Sequence, residues 1–184
     1  MNSSALPKLH SRYELIEKIG EGGMGVVYRA WDKIDRQTIV IKHAPSAMVN
    51  DVLCSMYLRE FEWMFRANHP GMVKALAWEK TADNDFFFTM QKAVGVNLSQ
   101  TLKDRNFWTK TRFDSFIRQI VSALTYVHAH GMVHGDIKPE NILVSSPDEV
   151  RVCDFGLALL PGETWSAEEL REGVGTFNYL APEI

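Results

Sequence analysis

Apolar and polar residues alternate over positions 13–20, which predicts a strand, and 26–31 and 38–42 read as two more, joined by the polar turn Lys33-Ile34-Asp35-Arg36-Gln37. Over 50–67 the apolar residues Val52, Leu53, Met56, Tyr57 and Met64 recur at helical spacing, and His69-Pro70-Gly71 stops the run. Strands follow at 72–78 and 86–91, split by the turn Ala82-Asp83-Asn84-Asp85. After a connector at 93–97 the period lengthens. Phe116, Ile117, Ile120, Val121, Leu124 and Val127 recur at three and four, giving a long helix that ends at Gly131. Short strands are expected near 142–144 and 150–153. The switch in pattern predicts an α+β chain of two lobes: a polar lead-in at 1–12, a first lobe of strands around one helix at 13–90, a hinge at 91–97, and a mainly helical second lobe at 98–184.

Composition changes this picture little. With 46% hydrophobic and 23% charged residues the chain has ordinary globular composition. A net charge of -3 argues against a nucleic-acid partner bound by phosphate neutralisation. Two isolated cysteines, Cys54 and Cys153, make neither a disulfide framework nor a zinc site. No leader pattern opens the sequence and no apolar run is long enough for a bilayer, so the expectation is a cytoplasmic protein without a membrane segment.

Chemistry concentrates in a few short motifs. His134-Gly135-Asp136-Ile137-Lys138-Pro139-Glu140-Asn141 offers a carboxylate, a cation and an amide within eight residues, and Asp154-Phe155-Gly156 adds a second carboxylate. The run Gly20-Glu21-Gly22-Gly23-Met24-Gly25-Val26-Val27 fits G-x-G-x-x-G-x-V, in which bare backbone amides can approach phosphate oxygens closely. Alone it is equally a glycine-rich hairpin. A dinucleotide fingerprint would open a helix there, whereas Val26-Val27-Tyr28 continues as strand. Lys42 ends the apolar run Ile39-Val40-Ile41, a costly place for an ammonium without an anion. Glu60, on the helix face shared with Met56 and Met64, is the better carboxylate partner, and Glu62 is the runner-up.

In this order, and with Ala181-Pro182-Glu183 at the end, the set resembles a eukaryotic-type protein kinase, most similar to the serine/threonine group found in bacteria. The resemblance implies a bilobal fold with an antiparallel sheet plus one helix in the N-lobe and a partial, mainly helical C-lobe. It also implies ATP with Mg²⁺ (Mn²⁺ being the alternative ion) and a protein substrate carrying a Ser or Thr acceptor. Asp136 would accept a hydrogen bond from the substrate hydroxyl, Lys138 would offset charge on the migrating group, and Lys42, pinned by Glu60, would hold the α- and β-phosphates. Asn141 and Asp154 would be the metal ligands. Gly20, Gly22 and Gly25 would cover the phosphates. Met90 would be the gatekeeper, Gln91 and Ala93 would offer backbone groups to adenine, Val27, Val40 and Leu143 would enclose it, and Asn97 would take the ribose. Each residue also has a bland reading: Asp136 as a turn cap, Asn141 as a loop amide, Cys153 as a small core residue.

Two departures carry information. Gly135 stands where the family usually has an Arg that pairs with a phosphorylated loop, so that contact cannot form. Activity is therefore expected not to depend on phosphate at Thr164 or Ser166, and Thr176 is expected to bond Asp136 and Lys138 instead. The His-Gly-Asp form also occurs in aminoglycoside phosphotransferases, which makes a small-molecule acceptor the minor alternative. Finally, the family continues for several helices past Ala-Pro-Glu, so a chain ending at Ile184 reads as truncated, with a nucleotide-binding regulatory scaffold as the competing function.

Overall fold

A computed structural model describes residues 9–22, 25–45, 51–81, 85–104, 106–146, 149–159, 162–164 and 176–179. Gly23, the turn residues 82–84, Ser166 and the Ala181-Pro182-Glu183 motif lie outside them. The described chain is α+β and divides into two compact units. The first takes in the described residues through Phe65 together with Lys74–Lys92; the second takes in Arg66–Val73 and the described residues from Ala93 onward.

The first unit is a five-stranded antiparallel sheet in the order β1-β2-β3-β5-β4, formed by β1 (Tyr13–Gly22), β2 (Gly25–Asp32), β3 (Gln37–Ala44), β4 (Ala75–Lys80) and β5 (Phe86–Gln91). Residues directly opposite across antiparallel strands share a face. Ala30 opposes Ile39, Tyr28 opposes Ile41 and His43 opposes Phe87. That face buries Leu9, Tyr13, Ala30, Ile39, Ile41 and Phe87 as one apolar cluster. The other face carries Val27 opposite Lys42, Lys42 opposite Phe88, and Val40 opposite Met90. It also receives α1 (Asp51–Arg66), whose Tyr57 rests edge-on against Phe88 at 6.0 Å. Among the described side chains of that helix Tyr57, Glu60 and Met64 are buried, and their spacing of three and four is what turns one stripe inward.

Residues 9–12 are tied to the turn after β2. Arg12 donates to both oxygens of Asp32 at 2.9 and 2.6 Å and reaches Asp35 at 2.6 Å. The guanidinium holds the Asp32 carboxyl below its usual range, aided by the backbone N–H groups of Asp35 and Ile34.

The second unit centres on α3 (Lys110–Ala129), begun by Thr109, whose side chain accepts from the Arg112 N–H at 3.2 Å. Beside it lies a three-stranded sheet of β6 (Val96–Asn97), β7 (Ile142–Ser146) and β8 (Glu149–Val152). Phe116 of α3 packs with Ile142, Val144 and Val150, and Trp108 and Ile137 pack against that cluster. A short helix α2 (Leu98–Thr101) joins β6 to the loop before α3.

Two sequence expectations change. The strand foreseen at 72–78 begins only at Ala75, because the preceding residues bond to β8 instead: Val73 N–H donates to the Val152 carbonyl at 3.2 Å, and Val152 N–H donates to Gly71 at 2.8 Å. The connector at 93–97 ends as a strand, since Val96 and Asn97 pair with Val144 and Leu143. No helix among the described residues is long and apolar enough to cross a membrane.

Candidate active site

Lys42 enters the first unit's site from β3, where its neighbours are apolar and its side chain is 8% exposed. An ammonium there requires an anion. Glu60 supplies it from α1: Lys42 Nζ donates to Glu60 Oε1 at 2.9 Å and Oε2 at 2.7 Å, and the Glu60 side chain is 1% exposed. Glu62, two residues on, faces outward. Gly22 and Gly25 pair at the ends of β1 and β2, and Gly20 lies opposite Val27. Gly25 has φ 118°, open to glycine but strained for any L side chain. A Cβ built there would also collide with the His43 carbonyl and the Tyr57 hydroxyl. Val27, Val40, Lys42 and Met90 share the sheet face that carries this pair, and Gln91 closes β5, exposed.

In the second unit the 134–141 loop is folded around one carboxylate. Asp136 Oδ1 accepts from the Thr176 N–H and from Thr176 Oγ1, each at 3.0 Å. Asp136 Oδ2 accepts from Asn141 Nδ2 at 3.1 Å and lies 2.6 Å from Lys138 Nζ. Thr176 Oγ1 in turn accepts from Lys138 Nζ at 2.8 Å. A hydroxyl donates once and can accept at the same time, so Thr176 joins the acid and the base without leaving either its donor or its acceptor idle. Asn141 Nδ2 also donates to the Asp136 carbonyl at 2.9 Å, which turns the amide nitrogen toward Asp136 and presents Oδ1 as the oxygen for a cation.

Asp154 follows β8 with φ 63°, an αL conformation that Asp tolerates better than most residues but that still costs energy. It is brought near Asn141 by the main chain: Cys153 N–H donates to the Asn141 carbonyl at 3.0 Å, and the Cys153 thiol donates to the same oxygen at 3.4 Å. Asn97 caps α2, its Oδ1 accepting from Gln100 N–H at 3.1 Å and Ser99 Oγ at 2.9 Å, so only its Nδ2 is left for another ligand. Leu143 sits opposite Asn97 across β6 and β7, and Ala93 is half-buried in the connector before β6.

His134, in the same loop, is 1% exposed. Its Nε2 lies 3.1 Å from the Cys153 carbonyl, and its Nδ1 accepts from the Asp136 N–H at 3.3 Å. One neutral tautomer satisfies both contacts, with Nε2 carrying the proton. Burial keeps the imidazole below its usual pKa, against the opposing pull of the Cys153 carbonyl and of Asp154 and Asp136. The ring also packs on Phe155 at 4.4 Å. His134 thus braces the Asp136 backbone against the 153–155 segment. Its place two residues before the acid was the available signal.

Gly135, between His134 and Asp136, has φ 81°, so the turn that aims Asp136 is made by the residue type that adopts it without strain.

The family model for the protein kinase domain matches residues 13–184. Serine/threonine-protein kinase PknD of Mycobacterium tuberculosis (strain ATCC 25618 / H37Rv) is 35% identical over 188 residues, which cover 98% of this chain and 28% of that protein. Cyclin-dependent kinase F-4 of Oryza sativa subsp. japonica is 35% identical over 174 residues, covering 94% of this chain and 36% of its own. Serine/threonine-protein kinase pkn3 of Myxococcus xanthus is 33% identical over 180 residues, covering 94% and 33%. The chain spans about a third of the length of these curated relatives.

Proposed function

The chain belongs to the protein kinase domain family, and on that premise we propose that it transfers the γ-phosphoryl group of ATP to a serine or threonine hydroxyl of a protein. The observation that carries the reading is the set of contacts on Asp136: two from Thr176, one from Asn141 and the ion pair with Lys138. The acceptor oxygen attacks the γ-phosphorus, the bond from that phosphorus to the β–γ bridging oxygen breaks, ADP leaves, and the hydroxyl proton passes to the Asp136 carboxylate. Asp136 orients the hydroxyl, and Lys138 offsets charge on the phosphoryl oxygens. Lys42 and the glycine turn hold the remaining phosphates, with Glu60 fixing where the ammonium points.

The donor set suits a hard cation. Asn141 presents an amide oxygen and Asp154 a carboxylate. Among the described residues no group of three or more His, Cys, Asp or Glu is placed to hold a metal ion by itself. Mg²⁺ takes one or two protein oxygens and fills the rest of its shell with water and phosphate, so two ligands suffice. When bound, Mg²⁺ neutralises charge on the triphosphate. The adenine contacts proposed are the backbone of Gln91 and Ala93, the side chains of Val27, Val40, Leu143 and Met90, and ribose contact through Asn97. The domain limits proposed are an N-lobe at 13–90, a hinge at 91–97 and a C-lobe from 98, acting in the cytoplasm, where ATP is abundant.

The deciding experiment is radiolabel transfer from γ-labelled ATP to a generic basic protein by the full-length protein, with Asp136→Asn as control. Label that depends on Asp136 supports the reading; equal label in both overturns it. Transfer to an aminoglycoside rather than to protein would move the acceptor class to small molecules.

A further inference from the structure

Tyr57 is buried, 1% exposed, and no step of the proposed transfer uses it. It lies three residues before Glu60 on α1, so the two side chains leave the same face of the helix. The centre of its ring is 5.5 Å from Lys42 Nζ, within the range at which an aromatic face attracts a cation. The ring is held from another side by Phe88, the residue opposite Lys42 on β5. Its hydroxyl occupies the space where a Cβ on Gly25 would go, beside the His43 carbonyl. One side chain therefore touches the ammonium, shares a helix face with the carboxylate that binds it, and fills the room behind the glycine that ends the phosphate-covering turn.

We propose that Tyr57 is a positioning residue for the nucleotide phosphates, coupling Lys42 to the glycine turn through its ring and its hydroxyl respectively. The ring fixes the ammonium in a site with little water, where a cation–aromatic contact is strongest. The hydroxyl sets how closely Gly25 can approach α1, and so where the Gly25 amide lies. This inference rests on the kinase reading and adds to it a residue whose two chemical parts act on two different phosphate-binding elements.

The two parts separate by substitution in the full-length protein. Tyr57→Phe keeps the ring and removes the hydroxyl. Tyr57→Leu removes both while leaving an apolar side chain in the core. Steady-state kinetics with ATP are measured below the melting temperature of each variant. Tyr57→Phe is expected to raise KM for ATP about threefold to tenfold, with the larger share of the effect in KM. Tyr57→Leu is expected to raise KM further and to lower kcat by about ten- to a hundredfold, because a displaced Lys42 misplaces the phosphates. A lowered melting temperature with KM and kcat at wild-type values in both variants would reduce Tyr57 to a packing residue and overturn the inference. If Tyr57→Leu fails to fold, Tyr57→Phe decides alone: a wild-type KM sinks the role of the hydroxyl, and a raised KM supports it. Wild-type protein that neither binds ATP nor transfers phosphate would take down the kinase reading itself, an outcome distinct from active protein with indifferent variants.

Discussion

Glu60 and Asp136 are both carboxylates withdrawn from water, at 2% and 9% exposure, yet they are held in different ways. Glu60 faces the ammonium of Lys42 with both oxygens, in a pocket of sheet and helix where neither charge meets solvent. Asp136 divides its oxygens among an amide, a hydroxyl, a backbone N–H and the ammonium of Lys138, which is itself 22% exposed. A concentrated pair fixes one geometry and fails when either member is lost. A distributed network can give up one donor at a time, so an incoming hydroxyl needs to displace only a single contact. The first arrangement suits an anchor and the second suits a group that must act on something that arrives and leaves.

Substitutions can break this contrast. Asp136→Asn should lower transfer about a thousandfold while the melting temperature falls less than in any Lys42 variant. Equal destabilisation would erase the difference between the two sites. Lys42→Met leaves the Glu60 charge buried without its ammonium and should cost about 3–5 kcal/mol in denaturant unfolding, together with transfer. Adding Glu60→Leu should return most of that stability and none of the activity. Thr176→Ala removes one donor to Asp136 and one acceptor for Lys138. It should cost about 1–3 kcal/mol and about tenfold in rate, with Thr176→Ser recovering both.

Titration gives a finer test. The buried neutral His134 has a folded pKa below its unfolded value of about 6.5. The unfolded chain therefore takes up the extra proton first, so this contribution to stability is complete above that value and is lost as pH falls through it toward the folded pKa. Melting temperature measured downward from pH 8 should show that loss, and His134→Phe should remove this component of the slope. The smallest effect is expected at the loop. With Gly135 unable to bind a phosphate, Thr164→Ala with Ser166→Ala should leave transfer near wild type. A collapse of activity would show that the network around Asp136 is assembled by phosphorylation after all.

Much of this was legible before any coordinates. The Lys42–Glu60 pair could be anticipated because a lysine in an apolar strand needs an anion, and helical spacing ranked Glu60 above Glu62. The bonds from Thr176 to Asp136 and Lys138 were expected only because the resemblance to the kinase family implied them. What the sequence hid were contacts that depend on backbone course. Nothing in Asn97 says that its oxygen is used to start α2. Nothing in Met72 and Val73 says that their backbone leaves the strand pattern for β8, because apolar residues suit either sheet. Tyr57 looked like one more core residue, and its hydroxyl gained meaning only once Gly25 was seen beside it.

The bond between Val73 and Val152 bears on how this protein can be dissected. Residues 66–73 precede β4 in the chain but belong with the unit that contains β8. A fragment ending at Lys92 would carry this segment without the strand that receives it, and a fragment starting at Ala93 would keep β8 paired with β7 but without the 71–73 backbone bonded to Val152. Either piece would expose backbone donors and acceptors that the intact chain satisfies. No single cut therefore yields two self-sufficient halves, and exchange of lobes between relatives would have to transplant the 66–73 segment along with the second unit.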